Sequence, residues 1–280
     1  MIHTSAAALR DRLSGRLIAA TLTPRSDAGI DGTILRGYLS SLIVDGTEAL
    51  AVAAHTGRGP YLTAAERDVV VTAAKGFGVP VLVGVEDAGQ ARHAAALGAD
   101  GVLVFPPLSG AVALHDEIWQ AGGLPMIAFD LYLRPYPPGV LTEIVAHPGV
   151  AGLKLARLHD AIACQRGIAV ARAAGRLAIT GEDRMFGASL MWGAEAALVG
   201  LAAASVAVTA DTLRAWREGR FADFVAASAR TDAFAESTFF EPFDGYVQRM
   251  QWIAAAERRI PHEFATDPYA PPLPGEGPQS

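Results

Sequence analysis

Eight short apolar runs govern what this chain can fold into. They are Leu17–Thr21, Ala49–Ala54, Val79–Val85, Gly101–Pro106, Leu124–Phe129, Val150–Ala156, Arg176–Gly181 and Ala196–Leu201, none longer than seven residues. Runs of this length, apolar on both faces, read as parallel strands covered by helices. The intervals between them are roughly twenty to thirty residues, the size of one βα unit. The segments between carry helical signals. Thr63-Ala-Ala-Glu66 forms a capping box that opens the helix AERDVVVTAAKGFG, which closes on glycine. AGQARHAAALGAD reads as a helix with Gly98 near its end. Eight alternating units predict an α/β fold, a (β/α)8 TIM barrel. A doubly wound sheet is the rival, but GVEDAG and GTEALAV do not match the GxGxxG fingerprint such a sheet would carry.

After the eighth run the chain keeps helical spacing through TADTLRAWREGRFADFVAASARTDAFAESTFF and GYVQRMQWIAAAERRI, more than one closing helix requires. The expected organisation is a barrel over 1–204, additional C-terminal helices packed on it over 205–262, and a Pro/Gly-rich tail over 263–280, extended or disordered at its end. Hydrophobic residues make up 51% and charged residues 19%, enough apolar material for a large core. A net charge of −6 with no Lys/Arg-rich run makes nucleic acid and anionic membrane surfaces poor partners. The longest low-polarity stretch, Ala196–Val208, is too short to span a bilayer and reads as a strand leading into a packed helix. The N-terminal apolar residues are broken by Arg10, Asp11 and Arg12, which leaves no signal-peptide core. The single cysteine, Cys164, excludes an internal disulfide and reads as a small buried hydrophobe. Together these features predict a cytoplasmic enzyme.

Barrel sites lie where strands end and βα loops begin. The polar residues at those ends are Thr21 and Thr23; His55, Thr56, Gly57 and Arg58; Asp130, Tyr132 and Arg134; and Thr180, Glu182 and Asp183. The sixth run adds Lys154, alone in VAGLKLARL. An ammonium walled by apolar neighbours is expensive to keep charged, so its pKa falls, and the neutral amine can attack a ketone to form a Schiff base. The protonated imine is an electron sink for breaking a neighbouring C–C or C–H bond. The plainer alternative is a strand-end lysine paired with Glu182 or Asp183. HTGRG (55–59) offers two glycines through which backbone N–H groups can approach a carboxylate, or is an ordinary glycine turn. The seven histidines show neither HxH nor HExxH spacing, so no metal site is expected; His93 and His115 fall on helices read as exposed.

From Leu17 to Leu201 the motifs, in order, resemble the dihydrodipicolinate synthase / N-acetylneuraminate lyase family of class I aldolases. LIAATLTPRSDAGID is similar to its first strand and TPF…G.ID segment, and HTGRGPYLTAAER to its TTGE…LS..ER segment. GADGVLVFPP is similar to its GADG.L...PYY strand, GLKLA to its lysine strand, and TGED and WGAEAALVGL to its GDD and Ga.GviS segments. The resemblance implies a barrel with C-terminal helices, a homotetramer of two tight dimers or a homodimer, no cofactor, and an imine between Lys154 and pyruvate or another 2-oxo acid. It places Thr56 at one position of the family's carboxylate-binding threonine pair, His55 at the other, and Arg134 where the synthase branch holds an arginine for its second substrate.

The departures point away from dihydrodipicolinate synthase itself. The family's catalytic tyrosine is Phe129 here, which cannot relay a proton. The tyrosine pair after the fourth strand is Pro107-Leu108, and the glutamate of TTGE is Arg58. The reading is a Schiff-base lyase, aldolase or dehydratase with Lys154 as nucleophile. His55, Thr56 and Gly57 hold the carboxylate, and Asp130, Arg134, Glu182 and Tyr132 face the variable end of the substrate. Tyr132, His55 or water carries the proton. The competing reading is a non-catalytic 2-oxo-acid binder of the same fold; a metal-dependent aldolase is a third.

Overall fold

The computed structural model describes residues 1–273. Eight parallel strands close into one barrel in sequence order: β1 (Leu17–Ala20), β2 (Ala49–Val52), β3 (Val81–Val85), β4 (Gly101–Val104), β5 (Met126–Leu131), β6 (Val150–Ala156), β7 (Leu177–Thr180) and β8 (Ala196–Val199). Every strand residue is buried, because helices cover the outer face and side chains fill the inner one. Each expected strand is present: β6 has the expected bounds, β5 starts and ends two residues later than expected, and the other six are trimmed by one or two residues.

The barrel is entered by α1 (Thr4–Leu13), a helix that strand-by-strand reading did not foresee. Its residues Ala6, Leu9 and Leu13 are buried and pack with Ile18, Ile127, Leu177 and Leu198 in the inner core. The helix therefore plugs the end of the barrel at the N-terminal ends of the strands. Leu9 reaches so far that a Cβ at Gly101 would come within 2.6 Å of its Cδ2. Helices α2 (Gly32–Val44), α3 (Ala64–Ala74), α4 (Ala88–Ala96), α5 (Ala111–Gly122), α6 (Pro138–Ala146), α7 (Ala161–Ala173) and the short α8 (Phe186–Met191) follow strands β1 to β7 in turn. Local chemistry starts several of them. Asp31, Asp87 and Asp160 accept N-cap bonds from the first turns of α2, α4 and α7, and Thr63 and Glu66 complete the capping box of α3. His115 departs from expectation: it is fully buried on the inner face of α5, its Nδ1 bonded to the Ala111 carbonyl (2.7 Å).

Three further helices follow among the described residues, α9 (Val206–Arg217), α10 (Phe221–Thr238) and α11 (Tyr246–Ala256). Helix α9 is the one that follows β8, so the boundary expected at 204 separates the eighth strand from its own helix. Residues Tyr246 to Gln251 of α11 are all buried. The start of the expected tail is docked as well. Asp267 is 5% exposed and pairs with Arg58 (2.6 Å), and Tyr269 stacks on Tyr61 (4.3 Å between ring centroids). The end of that expected tail, 274–280, lies outside the described residues.

Candidate active site

Lys154 faces into the barrel because of a bulge. Met126 pairs with Val150 but Ile127 pairs with Gly152, so Ala151 is an extra residue in β6. Side chains alternate along a strand, and one inserted residue reverses the parity that follows it. Val150 therefore packs outward, while Leu153 and Leu155 also face out and Lys154 faces in. Its Nζ lies 4.1 Å from the centroid of the Phe129 ring, a cation–π distance. Gly181 makes room beside it: a Cβ there would stand 2.6 Å from the Lys154 Cε. Among the described residues no carboxylate lies within 4.0 Å of the Nζ, so the expected alternative of a direct salt bridge to Glu182 or Asp183 is not formed. Burial drives the Lys154 pKa down to about 8, against the opposing pull of Asp183 and then Glu182.

The lysine opens into a cavity of about 530 Å³, which His55, Thr56, Phe129, Tyr132, Asp183 and Tyr246 help to line. His55 stacks near Tyr132 at 6.4 Å between centroids. Burial, with Lys154 and Arg58 nearby, lowers the His55 pKa to about 4, so the ring is neutral at physiological pH. Burial pushes the Tyr132 phenol up to about 12. Gly57 lies behind Thr56, facing an adjacent cleft. It must be glycine, since a Cβ would come within 2.9 Å of the Thr21 carbonyl oxygen. Among the described residues neither the Thr56 hydroxyl nor the Gly57 N–H has a protein hydrogen-bond partner. Arg58, by contrast, is committed: its guanidinium holds Asp267 through Nε (3.0 Å) and Nη2 (2.6 Å) and the Asp244 carbonyl (2.9 Å). Arg134 stands further out, in a second opening of about 630 Å³ with Glu86, Tyr61 and Asp244.

Two expected substrate contacts are turned away from the lysine's cavity. Asp130 lies between the inward Phe129 and Leu131, so strand parity sends it outward. There it accepts the Tyr136 N–H (2.9 Å) and pairs with Arg157 (3.1 Å); burial nevertheless raises its pKa. Glu182 follows the inward Gly181 and turns out to accept the N–H groups of Arg157 and Leu158, the latter at 3.1 Å. Burial raises its carboxyl to about 7. Both acids brace the loop after β6 and do not line the cavity. The strand-end acid that does is Asp183, one residue on. It is 7% exposed, accepts the Leu201 N–H (3.1 Å), and is raised by burial to about 6. Its inward aim could have been found by extending the β7 alternation Leu177, Ile179, Gly181, Asp183. Phe239, Phe243, Asp244, Tyr246 and Val247 complete the lining from the C-terminal helices, where no strand-end search looks.

A buried lysine near the C-terminal end of a (β/α)8 strand, open to a cavity beside hydroxyl, imidazole and carboxyl groups, stands where barrel enzymes carry their active sites. The chain belongs to the Dihydrodipicolinate synthetase family, whose profile matches residues 13–265; this is a family of lyases and aldolases. It is similar to the 4-hydroxy-tetrahydrodipicolinate synthase of Gluconacetobacter diazotrophicus, 28% identical over 87% of this chain and 89% of that one. It also matches the 4-hydroxy-tetrahydrodipicolinate synthase of Stenotrophomonas maltophilia at 32% identity, over 51% of this chain and only 54% of the relative's length. A solved structure with the same barrel is the prophage protein YagE of the dihydrodipicolinic acid synthase family from E. coli K12, in complex with pyruvate. It superposes with a TM-score of 0.79 at 20% identity, covering 92% of this chain and 93% of that one. Among the described residues no helix is long and apolar enough to cross a membrane, and no three His, Cys, Asp or Glu side chains group as metal ligands.

Proposed function

We propose that this chain is a Schiff-base lyase, an aldolase or dehydratase, that binds pyruvate or another 2-oxo acid as an imine on Lys154. The observation that carries the reading is the lysine itself: 4% exposed, unpaired within 4.0 Å, turned into a cavity, and with its pKa near 8. A measurable fraction of the amine is neutral at pH 7, and a neutral amine is the nucleophile that attacks a keto carbon. The free Thr56 hydroxyl and Gly57 N–H, beside a neutral His55, supply donors for the 2-oxo acid's carboxylate. Arg134 and Tyr132 face the rest of the substrate. Asp130 and Glu182 serve instead to hold the loop that carries Arg157. A homotetramer or homodimer belongs to the same reading, supported by family membership alone.

The relatives named as 4-hydroxy-tetrahydrodipicolinate synthase are only 28% and 32% identical, and Phe129 with Pro107-Leu108 argues for a different reaction. Phe129 also supports the second reading, a 2-oxo-acid binder without turnover. Borohydride trapping in the presence of pyruvate, read by intact and peptide mass spectrometry, tests the proposal. A pyruvyl adduct on Lys154, absent in Lys154→Ala, is expected. No adduct with pyruvate or with a panel of larger 2-oxo acids overturns the lyase reading. An adduct without release of any product favours the binder.

A further inference from the structure

Imine formation and enamine formation both move protons, and Phe129 supplies no hydroxyl to move them. Two groups in the cavity are placed to do so. Asp183 is the carboxylate that acts most strongly on Lys154, and one of its oxygens is fixed by the Leu201 N–H (3.1 Å) at the exit of β8. Tyr246, the first residue of α11, is fully enclosed, and its phenol completes no hydrogen bond of ordinary geometry. Asp183 is the charged group that bears on it most. The backbone makes room for it: a Cβ at Gly200 would stand 2.6 Å from the Tyr246 oxygen. Capping the turn after β8 accounts for one oxygen of Asp183. It does not account for a phenol set in the wall of the lysine's cavity against that same carboxyl.

We propose that Asp183 and Tyr246 are the catalytic proton-transfer pair for Lys154, in place of the hydroxyl missing at Phe129. This rests on the lyase reading. The neutral Lys154 Nζ adds to the keto carbon, giving a carbinolamine. Asp183 in its acid form, through the Tyr246 hydroxyl, donates a proton to the carbinolamine oxygen. The C–O bond breaks, water leaves, and the C=N⁺ bond forms. Asp183, now a carboxylate, takes a proton from the carbon next to the imine. The C–H pair becomes the C=C bond of the neutral enamine, and Asp183 returns to the acid form with no net proton lost.

The test follows exchange of pyruvate methyl protons with D2O by NMR, alongside borohydride trapping, in wild type, Tyr246→Phe, Asp183→Asn and Tyr132→Phe. Tyr246→Phe removes one oxygen and keeps the packing; Asp183→Asn keeps an acceptor for the Leu201 N–H. Both are expected to accumulate the Lys154 adduct on long incubation while exchange falls about 100-fold or more. In Asp183→Asn the fall in exchange as pH rises through the Asp183 titration near 6 also disappears, while the rise set by Lys154 stays. Wild-type exchange and an unchanged pH profile in both variants overturn the pair and leave the lyase reading standing. So does a loss of exchange confined to Tyr132→Phe. Failure of the wild type itself to trap or exchange any 2-oxo acid overturns both.

Discussion

Lys154 owes its chemistry to what surrounds it. The apolar run around it announces the anomaly, and burial lowers its pKa to about 8 from an ordinary value of 10.5. The neutral fraction of the amine therefore climbs about tenfold per pH unit below 8 and levels off above it. The initial rate of adduct formation with pyruvate, from samples incubated at each pH and quenched under one condition, is expected to follow that curve. A rate that keeps rising past pH 10 would mark Lys154 as an ordinary solvated lysine. At the same scale, the misdirected acids show where residue-level reading stops. Asp130, Glu182 and Asp183 are all acids at strand ends, and nothing in their identity separates them. Parity does: with Phe129 and Gly181 inward, Asp130 and Glu182 must turn out and Asp183 in.

Elements whose signals are local were legible. The Thr63–Glu66 capping box spans three residues and forms as its spacing predicts. Elements held by distant partners were not. The segment after Phe264 reads as tail because it is rich in Pro and Gly, yet Asp267 is buried against Arg58, 209 residues away in the chain. That pair fastens the C-terminal segment beside the cavity mouth, next to the Gln248 side chain, which bonds Ala265 and Asp267 (2.6 and 2.7 Å). Removing one partner of a buried pair leaves the other charge uncompensated, at a cost of about 3–5 kcal/mol. Asp267→Ala is expected to lower the unfolding midpoint and to speed amide exchange over 261–270 first. Unchanged exchange in that segment would show that the strap does not depend on the pair. The N-terminal helix α1 belongs to the same class: its Ala6–Leu9–Leu13 face makes sense only once there is a barrel end to fill.

Across the whole molecule, buried titratable groups oppose one another. His55 and His115 are pushed down to about 4, so between there and 6.5 the unfolded chain binds more protons and stability rises with pH. Glu182 and Asp183 are pushed up to about 7 and about 6, so above their unfolded values the native state binds more protons and stability falls with pH. The two effects overlap, and the wild type is expected to show a nearly level stability from about pH 4.5 to 6. Glu182→Gln removes one carboxylate and leaves the histidines in excess. Its stability, from denaturant midpoints, is expected to rise by about 1–2 kcal/mol over that window. A level curve in the variant would overturn this balance. The sequence by itself determined the barrel and the strand that carries Lys154, because period, length and capping are written in neighbouring residues, and its ordered motifs carried the resemblance to the family. The tertiary structure alone decided that Lys154 turns inward past the β6 bulge, that Tyr246 joins it in the cavity wall, and that Asp267 closes over Arg58. Those placements depend on one extra residue in a strand and on segments that return from the far end of the chain, and no local spacing records either.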